Sequence, residues 1–281
     1  LIRRQRQMCI RDRDIDKERQ NADLLMARMI QRLLKETKGQ LVSFNGGTKD
    51  NAIPRECEAS LIYESDEEAA KAEELACELA ETYAEELTPA EPDFSCEISC
   101  ETNRTAEAIP QDAAKEFICA MRLAPNGIQK RNIKMDGFVV VSLNLGVVRT
   151  EEDRIVMIFS PRSSVASLQE DTKERLNTLA ETFGFTVSHS SEYPGWSFKE
   201  DSPVREICKE SYKELFGEDL KIEAIHAGLE CGLFSDAIKG LDAIAIGPTI
   251  ANCHTPDEYL TLDSFERFYE FLKDILSRLA K

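Results

Sequence analysis

The chain has 281 residues, long enough for two domains, and its balance of 42% hydrophobic to 31% charged residues is that of an ordinary soluble protein with a real core. A formal net charge of −17 argues against a nucleic-acid partner, which needs clustered Lys and Arg, and reads instead as solubility. No apolar run approaches the roughly 18 residues that cross a bilayer, and nine scattered cysteines with no Cys-x-x-Cys pair indicate neither a zinc ribbon nor a disulfide framework. Free thiols at this density fit a reducing cytoplasm, most of them packing as small apolar groups.

Leu1 to Arg13 carries five arginines against one aspartate, lacks an initiating methionine and has no apolar stretch behind it, which excludes a signal peptide. It reads as a non-native or disordered basic segment, with a genuine basic arm as the alternative. Asn21 to Lys38 spaces Ala22, Leu25, Met26, Met29, Ile30, Leu33 and Leu34 as one face of a helix, stopped by Gly39. Leu41 to Phe44 reads as a strand running into the turn Asn45-Gly-Gly-Thr48, Ala52 to Tyr63 as a second strand opened by Pro54, Glu67 to Leu87 as an acidic helix, and Phe94 to Cys100 as a strand. A helix near Ala113 to Leu123 ends at the turn Pro125-Asn-Gly127. Strands Phe138 to Leu145 and Ile155 to Phe159, a helix from Leu168 to Phe183, and Phe185 to Ser188 complete the block. Helices on one face of a largely antiparallel sheet would bury these patterns, an α+β layer architecture.

The rigid turn Tyr193-Pro-Gly-Trp196 marks a domain boundary, giving units 14–191 and 192–281. Beyond it the order is helix (Pro203 to Phe216), strand (Lys221 to Ile225), glycine-rich loop and short helix (Gly228 to Phe234), strand (Ala243 to Ile246), the loop of His254 and a final helix. That helix has Asp263-x-x-Glu266 as its expected cap and Phe265, Phe268, Tyr269, Leu272, Ile275, Leu276 and Leu279 as its stripe. Such alternation suggests the end of a parallel α/β sheet, in which functional loops follow the C-terminal ends of strands.

Four residues can carry chemistry. His254, in Gly247-Pro-Thr-Ile-Ala-Asn-Cys-His254-Thr-Pro-Asp-Glu258, follows a short apolar strand, so backbone can hold its ring as a metal ligand requires, with Asp257 and Glu258 near enough in sequence to orient it; an exposed loop histidine is the competing reading. Glu230, in the small-residue run Ile225-His-Ala-Gly-Leu-Glu-Cys-Gly232, can hold a substrate ammonium or serve as a helix N-terminal dipole partner. Asn51, just before Ile53-Pro54, can present its amide to a peptide carbonyl or carboxylate, or be a structural turn amide. Arg162, in Ser160-Pro-Arg-Ser-Ser164, can bind a carboxylate through its planar fork, or be an ordinary surface arginine. His226 reads as a core histidine and Cys253 as packing.

Taken in order, Ile15 to Ala22, Phe44-Asn-Gly-Gly-Thr48, Asn51-Ala-Ile-Pro-Arg-Glu56, Ala124-Pro-Asn-Gly127, Ser142-Leu-Asn-Leu-Gly146, Tyr193-Pro-Gly-Trp196, Ile225 to Phe234 and Gly247-Pro-Thr to Glu258 resemble the bacterial aminoacyl-histidine dipeptidases, within the wider clan of two-metal exopeptidases. The resemblance implies a lid domain (14–191) inserted into a zinc-hydrolase α/β domain whose last part is 192–281. It makes His254 a ligand of one of two divalent metals, zinc by preference with cobalt or manganese possible, and Asn51 and Arg162 lid contacts to a dipeptide substrate, with a possible homodimer through the lid. The other metal ligands, the general base and the Gly-Gly-His-Ser-Gly segment are missing from this chain. The expectation is therefore a dipeptidase, acting on Xaa-His and other dipeptides by a metal-activated water, present as a fragment inactive alone. A non-catalytic binding or dimerisation protein that kept the lid is the alternative.

Overall fold

The computed structural model describes residues 2–4, 19–87, 91–102, 105–133, 138–190, 194–196, 198–223, 230–251 and 258–280. The chain divides into two compact units, Leu1–Ser191 and Glu192–Lys281.

The first unit begins with strand β1 (Ile2–Arg4), which lies inside the basic segment set aside above and pairs antiparallel with Ser60 on one side and with Glu97, Ile98 and Ser99 on the other. Helix α1 (Ala22–Glu36) starts where Asn21 Oδ1 accepts from the N–H groups of Asp23 and Leu24, satisfying two of the orphan donors of the first turn. Its stripe of Leu25, Met26, Met29, Ile30 and Leu33 is buried, as its spacing predicts. Strands β2 (Gln40–Gly46) and β3 (Cys57–Ile62) form an antiparallel hairpin closed by the pair Gly46↔Cys57. The second strand starts five residues later than its pattern suggests, because 47–56 is a long loop whose Pro54 carbonyl accepts from Ala22 N at 3.0 Å instead of joining a ladder.

Helix α2 (Asp66–Leu87) buries Ala72, Ala76, Leu79, Tyr83 and Leu87 down one face. It is clasped to α1 by a two-pronged Arg28–Glu86 ion pair, with the Arg28 guanidinium also 4.6 Å over the Tyr83 ring. Strand β4 (Glu97–Ser99) is shorter than expected, and helix α3 (Gln111–Leu123) sets Phe117 edge-on to Phe44 at 5.4 Å. Strand β5 (Gly127–Asn132), not anticipated, continues directly from the Pro125-Asn-Gly127 turn; its sequence Gly-Ile-Gln-Lys-Arg-Asn has no period-2 apolar signal.

Strand β6 (Phe138–Thr150) runs five residues beyond its expected end and pairs along one edge with β7 (Ile155–Ser163). Pro161 is tolerated because β7 has β6 as its one ladder partner among the described residues, leaving the other edge with no donor required. Helix α4 (Ala166–Phe183) ends at Gly184 in a left-handed turn. Phe185, which follows, donates its N–H to Ala180 O and stacks on Phe183, serving the helix end. The seven strands are antiparallel throughout, in order β4-β1-β3-β2-β6-β5 with β7 on β6, and α1, α2 and α3 cover the face bearing Leu41, Phe44, Leu145 and Val148. This is the α+β architecture expected for this half.

The second unit contains α5 (Pro203–Phe216), capped by Ser202, then α6 (Glu230–Ala237), a two-residue hairpin ladder of β8 (Ile250–Ala251) and β9 (Tyr259–Leu260), and α7 (Leu262–Leu279). The parallel sheet expected here does not form among the described residues: 221–223 and 243–246 join no ladder. Ile244 and Ile246 pack instead on the α5–α7 cluster of Cys208, Phe271 and Ile275, so their apolar character meets helices where a strand partner would otherwise be needed. The final helix starts two residues earlier than a cap at Asp263 would place it. Its N-cap is Thr261, whose hydroxyl donates to Ser264 Oγ. Gly232 approaches the Pro194 carbonyl so closely that an added Cβ would lie 2.6 Å from it, which is the use this unit makes of its small-residue run.

Of the seven described cysteines, Cys57 and Cys208 are buried while Cys77, Cys100 and Cys119 are exposed. Cys96 and Cys231 are half-buried, Cys96 packing on the core, so the packing role expected of most of them holds for four of the seven, while α2 and α3 turn Cys77 and Cys119 to solvent. No helix among the described residues is long and apolar enough to cross a membrane.

Candidate functional site

The first unit gathers its polar side chains at an interruption in the sheet. Along one edge of β6, strand β5 pairs as far as Leu143 (Gly127↔Leu143), and β2 meets β6 at Val148 (Gly46↔Val148). Leu145 lies between them, facing no strand on this edge, yet a buried backbone amide and carbonyl must find partners. Asn126 Oδ1 accepts from Leu145 N at 2.9 Å, and Asn21 Nδ2 donates to Leu145 O at 2.8 Å. Asn21 thus caps helix α1 with its oxygen and the sheet with its nitrogen.

Asn144, next along β6, is 1% exposed and donates through Nδ2 to Ala52 O at 2.8 Å and Asp50 O at 3.3 Å, the two carbonyls that flank Asn51. Gly146 lets the same loop lie directly on the strand: a Cβ there would sit 2.2 Å from Asp50 O. The side chain of Asn51 is exposed at the tip, while its N–H donates to Asp50 Oδ1.

Arg162 stands directly opposite Ser142 in the β6–β7 ladder, and Ser160 opposite Asn144, with regular register between them. Opposed residues, and residues two apart, project from one face of a sheet. The half-buried Arg162 and the Asn144 that holds the Asn51 loop therefore share a face, the one turned away from Leu143 and Leu145. A cavity of about 550 Å³ opens at the interruption, lined by Asn21, Asn126 and Asn144 and by the guanidinium-bearing Arg19, Arg28 and Arg122. Arg19 and Arg28 are paired with Glu91 and Glu86, and Arg122 meets Gln31.

Beneath the loop lies a group that the sequence pattern did not disclose. Asp23 is fully buried, its Oδ1 against Gly46 where a Cβ would lie 1.7 Å away. Among the described residues neither carboxyl oxygen has a hydrogen-bond partner. Burial pushes this carboxyl from 3.8 up to about 8, the neighbouring Cys57 thiol drawing it down slightly without reaching hydrogen-bond geometry. In sequence, Asp23 looks like a routine first-turn acid favouring the helix dipole.

In the second unit Glu230 is exposed and is the first residue of α6, a position that both readings of it require. His254, with His226, Cys253 and Asp257, lies outside the described residues; β8 and β9 pair on either side of the His254 segment. Glu258 is exposed. Among the described residues no three His, Cys, Asp or Glu side chains come together as a cation site, so they do not by themselves accommodate a metal pair.

The asparagines at the interruption were within reach of the sequence. Ser142 and Asn144 break an otherwise apolar run from Phe138 to Val148, and a polar residue in such a strand needs a partner.

The family model of peptidase family M20/M25/M40 matches residues 47–278. The chain is 32% identical over 263 residues to the cytosol non-specific dipeptidase of Escherichia coli (strain K12), covering 92% of this chain and 53% of that protein. The crystal structure of aminoacylhistidine dipeptidase from Vibrio alginolyticus superposes with a TM-score of 0.87 at 31% identity, covering 99% of this chain and 56% of that one. The chain thus spans about half the length of the relatives it matches. The resemblance drawn from the sequence motifs is borne out, and the chain belongs to peptidase family M20/M25/M40.

Proposed function

We propose that this chain is the C-terminal portion of a cytoplasmic metal-dependent dipeptidase acting on Xaa-His and other dipeptides, with 14–191 as its lid and 192–281 as the end of its catalytic domain. Asn51 and Arg162 contact the substrate, Arg162 through its carboxylate, and Glu230 holds its ammonium. His254 contributes one ligand to a pair of divalent cations, zinc by preference, whose other ligands and general base lie outside this chain. The lid also provides the surface for a homodimer. The observation that carries this reading is the shared sheet face of Arg162 and the Asn51 loop, two groups 111 positions apart in sequence that both suit the polar ends and amide of a dipeptide. Its setting is a chain of the M20 family similar to two dipeptidases.

The test compares the 281-residue chain with the product of its gene extended upstream, each assayed with zinc on an Xaa-His dipeptide. The chain alone is expected to show no hydrolysis and the extended protein to show turnover. In the extended protein Arg162→Ala is expected to raise KM by about 10- to 100-fold, the loss of a charge-assisted two-pronged contact. Turnover by the chain alone would overturn the fragment reading, and none by the extended protein would overturn the dipeptidase reading.

A further inference from the structure

We infer that Asn144 is the positioning residue for Asn51, setting the height and direction of that side chain through paired hydrogen bonds from one buried amide to the carbonyls of Asp50 and Ala52. The inference rests on the reading of Asn51 as a substrate contact. Both partners of the Asn144 amide are carbonyl oxygens, so its nitrogen must face the loop, and the orientation of the group is settled by its acceptors. Its Oδ1 is then left buried with no hydrogen-bond partner among the described residues. A residue present only to fill space in an apolar strand would carry no such penalty.

The two bonds bracket Asn51 on either side, fixing the peptide plane that enters its Cα and the one that leaves Ala52. Loop 47–56 has few other restraints: Ala52 N donates to Lys49 O within the loop, Gly47 N to Glu56 O closes its base, and Pro54 O accepts from Ala22 N. Of these, none holds a carbonyl on each side of Asn51. Asn126 and Asn21 act differently, on Leu145 of β6 itself, and close the sheet without touching the loop. The three asparagines therefore divide into two that complete the strand and one that aims the loop.

Amide hydrogen exchange on the full 281-residue chain separates these roles. Asn144→Asp, which sets either a charge or a single O–H donor against two carbonyls, is expected to speed exchange at Ala52 about tenfold or more while the amides of α1 and α2 keep their protection. Asn144→Thr keeps one donor on a strand-forming side chain, and serves if the aspartate variant does not fold; it is expected to give a smaller increase at the same amide. Asn126→Ala is expected to expose Leu145 and leave Ala52 unchanged. A folded Asn144→Thr protein with wild-type exchange at Ala52, or equal acceleration there in Asn126→Ala, would overturn the assignment. The underlying reading is tested apart from this by Asn51→Ala in the upstream-extended protein: unchanged KM removes Asn51 from the substrate, whatever the exchange data show of Asn144.

Discussion

Asp23→Asn is expected to stabilise the protein at pH 7 to 8 and to flatten its stability between about pH 4 and 8. The wild-type carboxyl is buried against Gly46 with no hydrogen-bond partner among the described residues, and burial raises it to about 8 in the folded state from 3.8. Below pH 3.8 both folded and unfolded chains hold the proton. From there to about pH 8 the unfolded chain releases it and the folded chain keeps it, so stability falls as pH rises, by about 1.4 kcal/mol per pH unit from this group. Above about 8 both states are ionised and the dependence from this group ends. By pH 7 the accumulated loss is on the order of 4 kcal/mol. Asparagine has nearly the shape of the protonated acid and never ionises, although its second N–H, unpaired, returns about 1–3 kcal/mol of that gain. Urea unfolding of both proteins at pH 5 and pH 8 measures the difference. If the gap between wild type and variant is the same at both values, Asp23 does not titrate in this range.

Gly146→Ala is expected to destabilise the first unit by about 2–3 kcal/mol and to lift the Asn51 loop off the sheet. The added Cβ would lie 2.2 Å from Asp50 O and 2.6 Å from its carbonyl carbon and Cα. These are backbone atoms, so no change of rotamer relieves the contact; either β6 or the loop must move. Strand β6 is held by β7 along nine paired positions, whereas the loop is held by a handful of bonds, so the loop yields. Its displacement takes Ala52 O and Asp50 O away from Asn144. Denaturant melting gives the energetic part, and NMR shift changes confined to 47–56 give the structural part. Shift changes spread evenly along β6 and β7 would mean that the strand, not the loop, moved.

The helices were the most legible part of the fold, and the reason is visible in α1. Its apolar stripe and its Gly39 stop point to the same boundaries, and the observed helix departs from them by two residues at most. Strands suffered where pairing overrode pattern: β5 is polar yet laddered to β6, while Ala243 to Ile246 is apolar and alternating but pairs with nothing among the described residues. A strand is a property of two segments, and one segment's sequence carries half of the information. At the candidate site, Asn51 and Arg162 were legible as residue types in suggestive contexts, but their common face depends on the β6–β7 register, which neither local sequence specifies. Asp23 was illegible for a further reason: an acid in a first helical turn is ordinarily solvated, and only tertiary packing buries it.

The junction between β2 and β6 has a mechanical meaning. Among the described residues these strands share one ladder pair, Gly46↔Val148; beside it the Thr150 hydroxyl accepts from Phe44 N and donates to Phe44 O, Asn45 Oδ1 accepts from Thr150 N, and Phe44 shares one buried core with Leu145 and Val148. Few backbone bonds hold this joint, and the pairing of β1 with β3 (Ile2↔Ser60) is equally short, so side chains carry the continuity of the sheet here. Asn51 belongs to the hairpin on one bank and Arg162 to the hairpin on the other. The span between them is therefore set from the Arg162 bank itself, by the Asn144 amide of β6 that holds the Asn51 loop, and by a core that runs unbroken beneath the joint through Phe44, Leu145 and Val148.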